Sequence, residues 1–261
     1  MLLPKVLILR TAGTNCDYET QYAFEKAGAT VDIVHINLLL TNKKMLQDYQ
    51  ILALPGGFTY GDDVSAGKIL ANQIQYNLEE DIQTFIDKKK LILGICNGFQ
   101  VLTKAGLLPS LNKHHQEATL TFNDSNKFED RWVYLKICSN KSIFIKEEQA
   151  LTLYLPVAHG EGKFVAKDEN ILNKIMANHQ AIFKYVNERG EDAGYPWNPN
   201  GSIQNIAGIC DPTGQILGMM PHPERHVEPT QHPRWTRNGL KECGDGFPIF
   251  QNAVHYVKSN F

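Results

Sequence analysis

The chain has 261 residues, of which 43% are hydrophobic and 21% are charged, as in ordinary soluble globular proteins and unlike disordered or fibrous ones. Lys and Arg number 26 against 28 Asp and Glu, so the net charge of -2 leaves no basic excess for nucleic acid or an anionic membrane. We therefore expect no nucleic-acid and no membrane partner, and a length that suits one large domain or two small ones.

The N-terminal segment does not resemble a secretion signal, because Lys5 and Arg10 interrupt its apolar runs, and no other apolar stretch is long enough to cross a bilayer. The cysteines are odd in number and lack CxxC spacing, which favours free thiols in a reducing compartment over disulfides. They are Cys16, Cys96, Cys138, Cys210 and Cys243. We expect a cytoplasmic protein in which one thiol could be a nucleophile.

Short apolar runs alternate with helix-like segments such as YETQYAFEKAGA in the first half of the chain. The runs predict strands at residues 5–9, 31–36, 50–54 and 91–95. Nearly continuous apolar strands separated by helices are typical of a parallel sheet covered on both faces. This half predicts a doubly wound, flavodoxin-like α/β fold with a mostly parallel central sheet.

The second half has a different pattern of apolar and polar residues. EATLTF, RWVYLKI, LTLYLPVAH and AIFKYV lie closer together and alternate apolar with polar residues, as antiparallel strands do. No linker or repeat separates the halves, so we predict a single domain over residues 1–261 with additional antiparallel strands. The stretch from Pro221 to Pro248, rich in Pro, His and Arg, allows no clear prediction.

The segment LILGICNGFQVLTKAG is the most informative one for chemistry. Cys96 follows an apolar strand and precedes a helix-like pattern, with Gly94 and Gly98 two residues to either side. A sharp strand-to-helix elbow needs such glycines, and a thiol at a helix start is favoured as the thiolate. A buried structural cysteine is the alternative, but the glycines favour a nucleophile.

A thiol nucleophile needs a base, and the segment Met220-Pro221-His222-Pro223-Glu224 offers one. Each proline keeps the residue before it extended, and residues two apart in an extended chain point to the same side. Glu224 could thus orient the imidazole of His222 and stabilise its protonated form. Taken alone, the segment could equally be a surface loop in which both side chains are solvated.

The loop Pro55-Gly56-Gly57-Phe58-Thr59-Tyr60-Gly61-Asp62-Asp63 follows a third apolar strand. Glycines at the carboxyl end of a strand let backbone N–H groups approach a reacting oxygen, in the crevice where doubly wound sheets bind ligands. An ordinary glycine turn would also explain Gly56 and Gly57, but it would not require the residues from Tyr60 to Asp63.

Taken together, these motifs resemble the class I, triad-type glutamine amidotransferases, and among them the glutaminase subunits of phosphoribosylformylglycinamidine synthase, which serve purine synthesis. The resemblance runs from Leu7 to about Phe250. GxCxG alone would be weak evidence, because hydrolases share it, whereas five motifs in the same order are specific. The five are RTAGTNCD, PGGFTYGDD, GICNGFQ, AHGEG and MMPHPER.

The resemblance implies a role for several residues. Cys96 would form a thioester with glutamine, with His222 as base and then acid and Glu224 orienting it. The backbone N–H groups of Gly57 and Asn97 would form the oxyanion hole. Gln100 and Gly56 would contribute to substrate binding.

The resemblance also implies partners. Ammonia would pass to a synthetase subunit that converts formylglycinamide ribonucleotide to the amidine, with ATP and magnesium on that subunit, and a small third subunit is possible. No cofactor and no metal are expected in this chain. Thr11-Ala12 stands where the family more often has Phe-Pro, and residues 226–246 resemble the longer members of the family.

Other residues are given less specific interpretations. His159 and Glu161 of the AHGEG loop could line the mouth of the site or a partner contact, or form a structural turn. Cys16 is expected to be a packed or capping residue. The remaining histidines of interest lack metal-ligand spacing and are expected in solvated loops; they are His114, His115, His226 and His232.

Three other functions remain open from the sequence. The chain could be an amidotransferase for another acceptor, a general cysteine hydrolase, or a non-catalytic regulatory module on the same fold. The pair of GGFTYGDD and HGEG motifs disfavours the first two, and the presence of Cys96, His222 and Glu224 disfavours the third.

Overall fold

The computed structural model describes residues 3–112, 115–146 and 152–261, so His114 and the first residue of the segment LTLYLPVAH lie outside the described residues. The strands are β1 (Lys5–Arg10), β2 (Thr30–His35), β3 (Ile51–Leu54), β4 (Leu91–Ile95), β5 (Ala118–Thr121), β6 (Glu129–Ile137), β7 (Thr152–His159), β8 (Lys163–Ala166), β9 (Ala181–Val186), β10 (Ile206–Cys210) and β11 (Ile216–Met219). The α-helices are α1 (Asp17–Lys26), α2 (Ile36–Thr41), α3 (Lys68–Asn77), α4 (Glu79–Asp87), α5 (Asn97–Lys104), α6 (Glu169–Ala177), α7 (Trp235–Asn238) and α8 (Phe247–Asn260).

Nine of the described strands form one mixed sheet in the order β2-β1-β3-β4-β11-β10-β9-β6-β7. Five neighbouring strands are parallel to one another: β2, β1, β3, β4 and β11. The sheet is extended beyond β11 by antiparallel pairing of β10, β9, β6 and β7. β5 and β8 form a separate antiparallel pair. The predicted α/β class, with a mostly parallel centre and additional antiparallel strands, is confirmed.

Helices cover the parallel strands because those strands are apolar on both sides. β3 and β4 are buried at every residue, so neither face can be left to solvent. α1 packs against β1, β2 and α8, with the rings of Phe24 and Phe250 in edge contact at 5.0 Å. α5 packs against β4, β11 and α3, and Phe99 stacks on Phe164 of β8. The connection from β1 to β2 runs towards one edge of the sheet, whereas the connection from β3 to β4 runs towards the other. Because such crossovers are right-handed, their helices lie on opposite faces of the sheet.

The predicted strands of both halves are found, with bounds shifted by one or two residues. The sequence does not predict β8, β10 or β11, because KFVA and ILGM have only four residues each and IAGIC carries no alternation. No helix among the described residues is long and apolar enough to span a membrane.

The segment from Pro221 to Pro248 contains short 3-10 turns at Pro223–Arg225 and Pro229–Gln231, then α7 and the start of α8. The expectation of a solvated His226 is wrong. Its side chain is buried, its Nδ1 lies 2.8 Å from the carbonyl oxygen of Tyr154, and its ring meets that of Trp132 edge-on at 5.1 Å. His232 is partly exposed and lies against the same aromatic side chains.

Four neighbouring parallel strands, β1, β3, β4 and β11, place their carboxyl ends at one edge of the sheet. The motifs RTAGTNCD, PGGFTYGDD, GICNGFQ and MMPHPER each follow or overlap one of these ends. In open α/β sheets this edge is where ligands bind. The fold therefore brings four of the five motifs together.

Candidate active site

Cys96 lies between the last residue of β4 and the first residue of α5, in a strained backbone conformation. Its φ is 51° and its ψ is -105°, a combination that costs a non-glycine residue about 1–3 kcal/mol. The backbone N–H of Cys96 donates to the carbonyl of Met219 in β11 at 2.8 Å, which ties the elbow to the neighbouring strand. The predicted strand-to-helix elbow is present.

The two glycines around Cys96 are required by close packing. A Cβ on Gly98 would lie 1.9 Å from the carbonyl oxygen of Leu54 at the end of β3. A Cβ on Gly94 would lie 2.8 Å from the backbone of Gly98 and 2.5 Å from the side chain of Leu102. The elbow can turn this sharply only because both positions lack a side chain.

His222 and Glu224 form a buried pair next to the elbow. Nδ1 of His222 lies 2.6 Å from Oε1 of Glu224, and the residues are 2% and 1% exposed. His222 is extended, as expected before Pro223, but Glu224 belongs to the 3-10 turn that follows and reaches the imidazole from there. The backbone N–H of His222 donates to the carbonyl of Pro156 in β7.

The electrostatics of this pair favour the imidazolium. Burial by itself would lower the pKa of His222, but the charges of Glu224 and Cys96 and hydrogen bonds with Cys16 and Cys96 raise the pKa well above its usual value. Because Nδ1 is hydrogen-bonded to Glu224, Nε2 is the nitrogen that can exchange a proton with Cys96. The sulfur of Cys96 also lies 3.7 Å from the carbonyl oxygen of Ala158.

Gly56 and Gly57 lie directly against this pair. A Cβ on Gly56 would lie 2.7 Å from Cε1 of His222 and 3.4 Å from Cβ of Cys96, so a side chain there would displace the base. Gly57 has a φ of 146°, and a Cβ on it would collide with the backbone of Gly13 and Asn15. This loop therefore needs glycine at both positions.

The N-terminal motif orients the peptide between these two glycines. The carbonyl oxygen of Gly56 accepts hydrogen bonds from the N–H groups of Asn15 and Cys16 at 3.4 and 3.2 Å. In a trans peptide the N–H points opposite to the C=O, so the N–H of Gly57 points away from residues 15 and 16. Within the described residues, neither this N–H nor that of Asn97 has a hydrogen-bond partner.

The side chain of Asn97 connects the elbow with the glycine loop. Its Oδ1 accepts from the Oγ1 of Thr59 at 2.7 Å, and its Nδ2 donates to Oδ1 of Asp62 at 3.1 Å and to Oε1 of Gln100 at 2.8 Å. The Nε2 of Gln100 donates to the carbonyl of Glu161 at 2.6 Å. Gln100 is thus a buried link between α5 and the AHGEG loop, and its contact with substrate remains a prediction.

Charged side chains surround this amide network. Burial and the charge of Glu161 raise the pKa of Asp62 to about 6, against hydrogen bonds from Gly67 and Asn97 and the charge of Lys104. Burial lowers the pKa of Lys104, which lies 4.0 Å from Glu161 and donates to the carbonyl of Ala66. The AHGEG loop therefore contacts this network through Glu161.

His159 of the same loop is a structural residue. Its Nδ1 lies 3.1 Å from Oδ1 of Asn123, and its Nε2 lies 3.5 Å from Nδ2 of Asn200. Burial and the charge of His222 lower the pKa of His159 to about 3, so it is neutral at physiological pH. Of the predicted alternatives for this loop, the structural turn describes His159.

Sequence reasoning missed the position of Cys16. It occupies the N-cap position of α1, as expected of a capping residue, but its side chain makes no capping hydrogen bond. Its sulfur lies 4.0 Å from Nδ1 of His222, 3.1 Å from the guanidinium of Arg225 and 3.1 Å from Oδ1 of Asn15. The one signal that points to it is its place in the loop that follows β1, since the ends of parallel strands meet.

The same residues form a group of potential metal ligands. One ligand atom each from Cys16, His222 and Glu224 lie within 4.8 Å of one another. Their separation along the chain hid the group from spacing arguments. Of the remaining histidines, His226 and His232 lie instead among the aromatic rings described above.

Comparison with known proteins gives a consistent result over the whole chain. A family profile described as a CobB/CobQ-like glutamine amidotransferase domain matches residues 3–257. Phosphoribosylformylglycinamidine synthase subunit PurQ of Dehalococcoides mccartyi is 49% identical over 255 residues, which cover 97% of this chain and 98% of the relative. The subunit PurQ of Archaeoglobus fulgidus is 43% identical over 268 residues, covering 97% of each chain.

Solved structures agree. A chain in the structure of PurLQS from Thermotoga maritima superposes with a TM-score of 0.75 at 31% identity, covering 98% of this chain and 100% of that one. The glutaminase domain of the Trypanosoma brucei CTPS, solved with bound acivicin, shares the fold with a TM-score of 0.57 at 14% identity. The resemblance drawn from the five motifs is confirmed: the chain belongs to the CobB/CobQ-like glutamine amidotransferase family and, within it, to the family of PurQ subunits of phosphoribosylformylglycinamidine synthase.

Proposed function

We propose that this subunit hydrolyses glutamine through a thioester on Cys96 and supplies the ammonia for converting formylglycinamide ribonucleotide to formylglycinamidine ribonucleotide in purine synthesis. The observation that supports it best is the buried His222–Glu224 pair, 2.6 Å apart, whose imidazole interacts electrostatically with a cysteine on a strained elbow. A nucleophile, a base and an orienting carboxylate in contact are the arrangement that acyl transfer requires.

In the first half-reaction Nε2 of His222 holds the proton taken from the thiol of Cys96, as part of the imidazolium that Glu224 stabilises, and the sulfur of Cys96 attacks the carboxamide carbon of glutamine. The N–H groups of Gly57 and Asn97 stabilise the resulting oxyanion. The carbon–nitrogen bond breaks as His222 returns the proton to the leaving nitrogen, which gives ammonia and the thioester. A water molecule, deprotonated by His222, then attacks the thioester. Glutamate is released, and the proton held by His222 returns to the sulfur of Cys96.

Gly56 and Gln100 have supporting roles at the substrate in this proposal. Gly56 leaves room beside His222 and Cys96 for the carboxamide, because any side chain there would occupy that space. Gln100, through its link to Asn97 and to the carbonyl of Glu161, contributes to one wall of the glutamine site. The whole chain, residues 1–261, acts as one amidotransferase domain, which its continuous nine-stranded sheet supports.

The partners are part of the proposal. The Thermotoga maritima relative was solved as PurLQS, which motivates a complex of this chain with a synthetase subunit and a small third subunit. ATP and magnesium belong to the synthetase subunit, and no cofactor is required for the thioester chemistry of this chain. We place the complex in the cytoplasm, where five free cysteines stay reduced.

The test is Cys96→Ser in the reconstituted complex. Glutamine-dependent synthesis should be abolished while synthesis from added ammonium salts continues, because the ATP chemistry of the partner does not need the thiol. A glutamine analogue bearing an electrophile should add one covalent mass at Cys96. Cys138→Ser, which removes an exposed thiol, is the matched control and should leave both activities unchanged. Loss of both activities in Cys96→Ser, or labelling at Cys16 or Cys243, would contradict the proposal.

The reconstitution also tests whether the partner activates the glutaminase. A rotation of the peptide between Gly56 and Gly57 would remove one oxyanion donor, worth about 3 kcal/mol or on the order of 10² in rate. That rotation breaks only the two hydrogen bonds from Asn15 and Cys16. Steady-state glutamate release should therefore rise sharply when the synthetase and its nucleotide are added. Equal rates for the isolated chain and the complex would rule out this control while leaving the triad assignment intact.

Two alternatives have distinct outcomes in the same experiment. A chain that serves another acceptor would release glutamate but would not support synthesis of the amidine with the candidate synthetase. A regulatory module would release no glutamate under any condition and would not be labelled by the analogue.

A further inference from the structure

A second thiol lies beside the catalytic pair and is not used by the glutaminase mechanism. The sulfur of Cys16 is 4.0 Å from Nδ1 of His222, the same nitrogen that lies 2.6 Å from Oε1 of Glu224. One ligand atom from each of the three residues falls within 4.8 Å of the others, and all three residues are buried. Sulfur, imidazole nitrogen and carboxylate oxygen are the donors that zinc binds in proteins.

One further feature indicates that this group can accept a cation. Oε2 of Glu224 is buried and has no hydrogen-bond partner among the described residues, so one carboxylate oxygen is free to ligate. The guanidinium of Arg225 lies 3.1 Å from the sulfur of Cys16, but burial raises the pKa of this thiol, so a binding cation must displace its proton.

We propose that Cys16, His222 and Glu224 form an inhibitory site for a thiophilic divalent cation, with Zn²⁺ as the preferred ion. Ligand atoms that share one tetrahedral zinc lie about 3.3–3.6 Å apart. The present separations, 4.0 Å from the sulfur of Cys16 to Nδ1 of His222 and 2.6 Å from that nitrogen to Oε1 of Glu224, lie on either side of this range. Small side-chain rotations would therefore bring the three ligand atoms to zinc-binding distances. Only the inhibitory consequence rests on the proposed function of His222; binding of the ion does not.

The inhibition follows from the proton balance at the imidazole. Zinc takes the place of the proton on Nδ1 of His222 and of the thiol proton of Cys16, and both protons pass to solvent. The single proton of the metal-bound neutral imidazole then lies on Nε2. That nitrogen can no longer accept the proton of Cys96, so the first half-reaction stops.

The Cys16 end of the group lies close to the protein surface. The sulfur of Cys16 contacts Asn15, which is exposed, and Arg225, whose side chain is 33% exposed and paired with Glu19 at the surface. Displacement of the Arg225 side chain would open the group to solvent without disturbing the buried elbow.

Direct metal binding to the full-length chain tests the site without relying on activity. Co²⁺ added to the wild-type chain should give a thiolate-to-cobalt charge-transfer absorption, and Zn²⁺ should displace it. Cys16→Ser should abolish this absorption and weaken Zn²⁺ binding by more than about 100-fold, because even loss of an outer-shell partner costs about 10–100-fold. Cys96→Ser and the exposed-thiol control Cys138→Ser should retain both.

The opposite pattern would overturn the proposal. If Cys96→Ser loses the absorption and Cys16→Ser keeps it, the ion binds between the nucleophile and Nε2 of His222. Absence of any thiolate absorption in the wild type would exclude both sites.

Glutamate release provides the second readout. Zinc inhibition, expressed relative to the zinc-free rate of each protein, should require at least about 100-fold more Zn²⁺ in Cys16→Ser than in the wild type or Cys138→Ser. Equal sensitivity of all three would contradict an inhibitory role. Should the chain prove to have no glutaminase activity, the cobalt spectra would still decide whether the metal site exists.

Discussion

The nucleophile and the base of the candidate triad are held in place by different physical interactions. The nucleophile is held by backbone packing: Cys96 sits in a strained conformation because Gly94 and Gly98 pack against neighbouring backbone with no room for a Cβ. The base is held by charge: His222 is buried against Glu224, whose second oxygen has no partner among the described residues. The nucleophile side should therefore be sensitive to volume, and the base side to charge and pH.

The largest expected effect is on the nucleophile side. Gly98→Ala places a Cβ 1.9 Å from the carbonyl oxygen of Leu54, so the elbow or β3 must move. We expect a loss of about 3 kcal/mol or more in the free energy of unfolding, measured in urea, and loss of glutamate release. Gly194→Ala, where a Cβ meets nothing within 4 Å, should stay within about 0.5 kcal/mol of the wild type. A stable, active Gly98→Ala would show that steric packing does not build the elbow.

The next effect is on the base side. His222→Ala should lower the rate of glutamate release by about 10²–10⁴-fold, because the general base is removed. Glu224→Gln should retain part of the activity, since the amide oxygen can still orient the imidazole. The charge of Glu224 raises the pKa of His222, so the imidazole of Glu224→Gln should titrate at lower pH in NMR spectra.

The control for this pair is His255→Ala, an exposed histidine of α8. It should leave the rate unchanged. Equal and negligible effects of His222→Ala and Glu224→Gln would show that another histidine serves Cys96. His159 is then the nearest alternative, although its hydrogen bonds to Asn123 and Asn200 engage both ring nitrogens.

The smallest effect concerns the charge of Asp62, which accepts a hydrogen bond from Asn97 on the nucleophile side. The pKa of Asp62 is raised from 3.8 to about 6, so between these values the folded state binds more protons than the unfolded state. The stability from this group is therefore complete below about pH 4 and is lost as the pH rises to about 6. Because Asp62 is partly exposed, the loss should be about 1–2 kcal/mol.

Asp62→Asn should remove this loss, which urea unfolding between pH 4 and 7 would reveal. Asn can keep the hydrogen bond from Asn97, so the loop should stay in place. Asp63→Asn, at the exposed neighbouring position, is the matched control and should keep the wild-type slope. An unchanged slope in Asp62→Asn would place the charge effect elsewhere.

The elbow could be predicted from the sequence because its causes are local: a strand, two glycines and a helix pattern lie within one short segment. His222 and Glu224 could be predicted for the same reason, since two prolines restrict the chain around them. Cys16 could not, because 206 residues separate it from His222 and only the strand order brings them together. The burial of His226 likewise depends on Trp132 and Tyr154, which belong to distant strands.

The position of β11 between β4 and β10 has a consequence for synthesis on the ribosome. β4 is complete at Ile95, but the strand that covers its second edge, Ile216–Met219, is made only after residues 96–215. Until then the nascent chain exposes an apolar strand edge, which is a site for wrong pairing with other chains. The same later segment contains His222, so a nascent chain that has not yet reached it has the thiol of Cys96 but no base and cannot release ammonia.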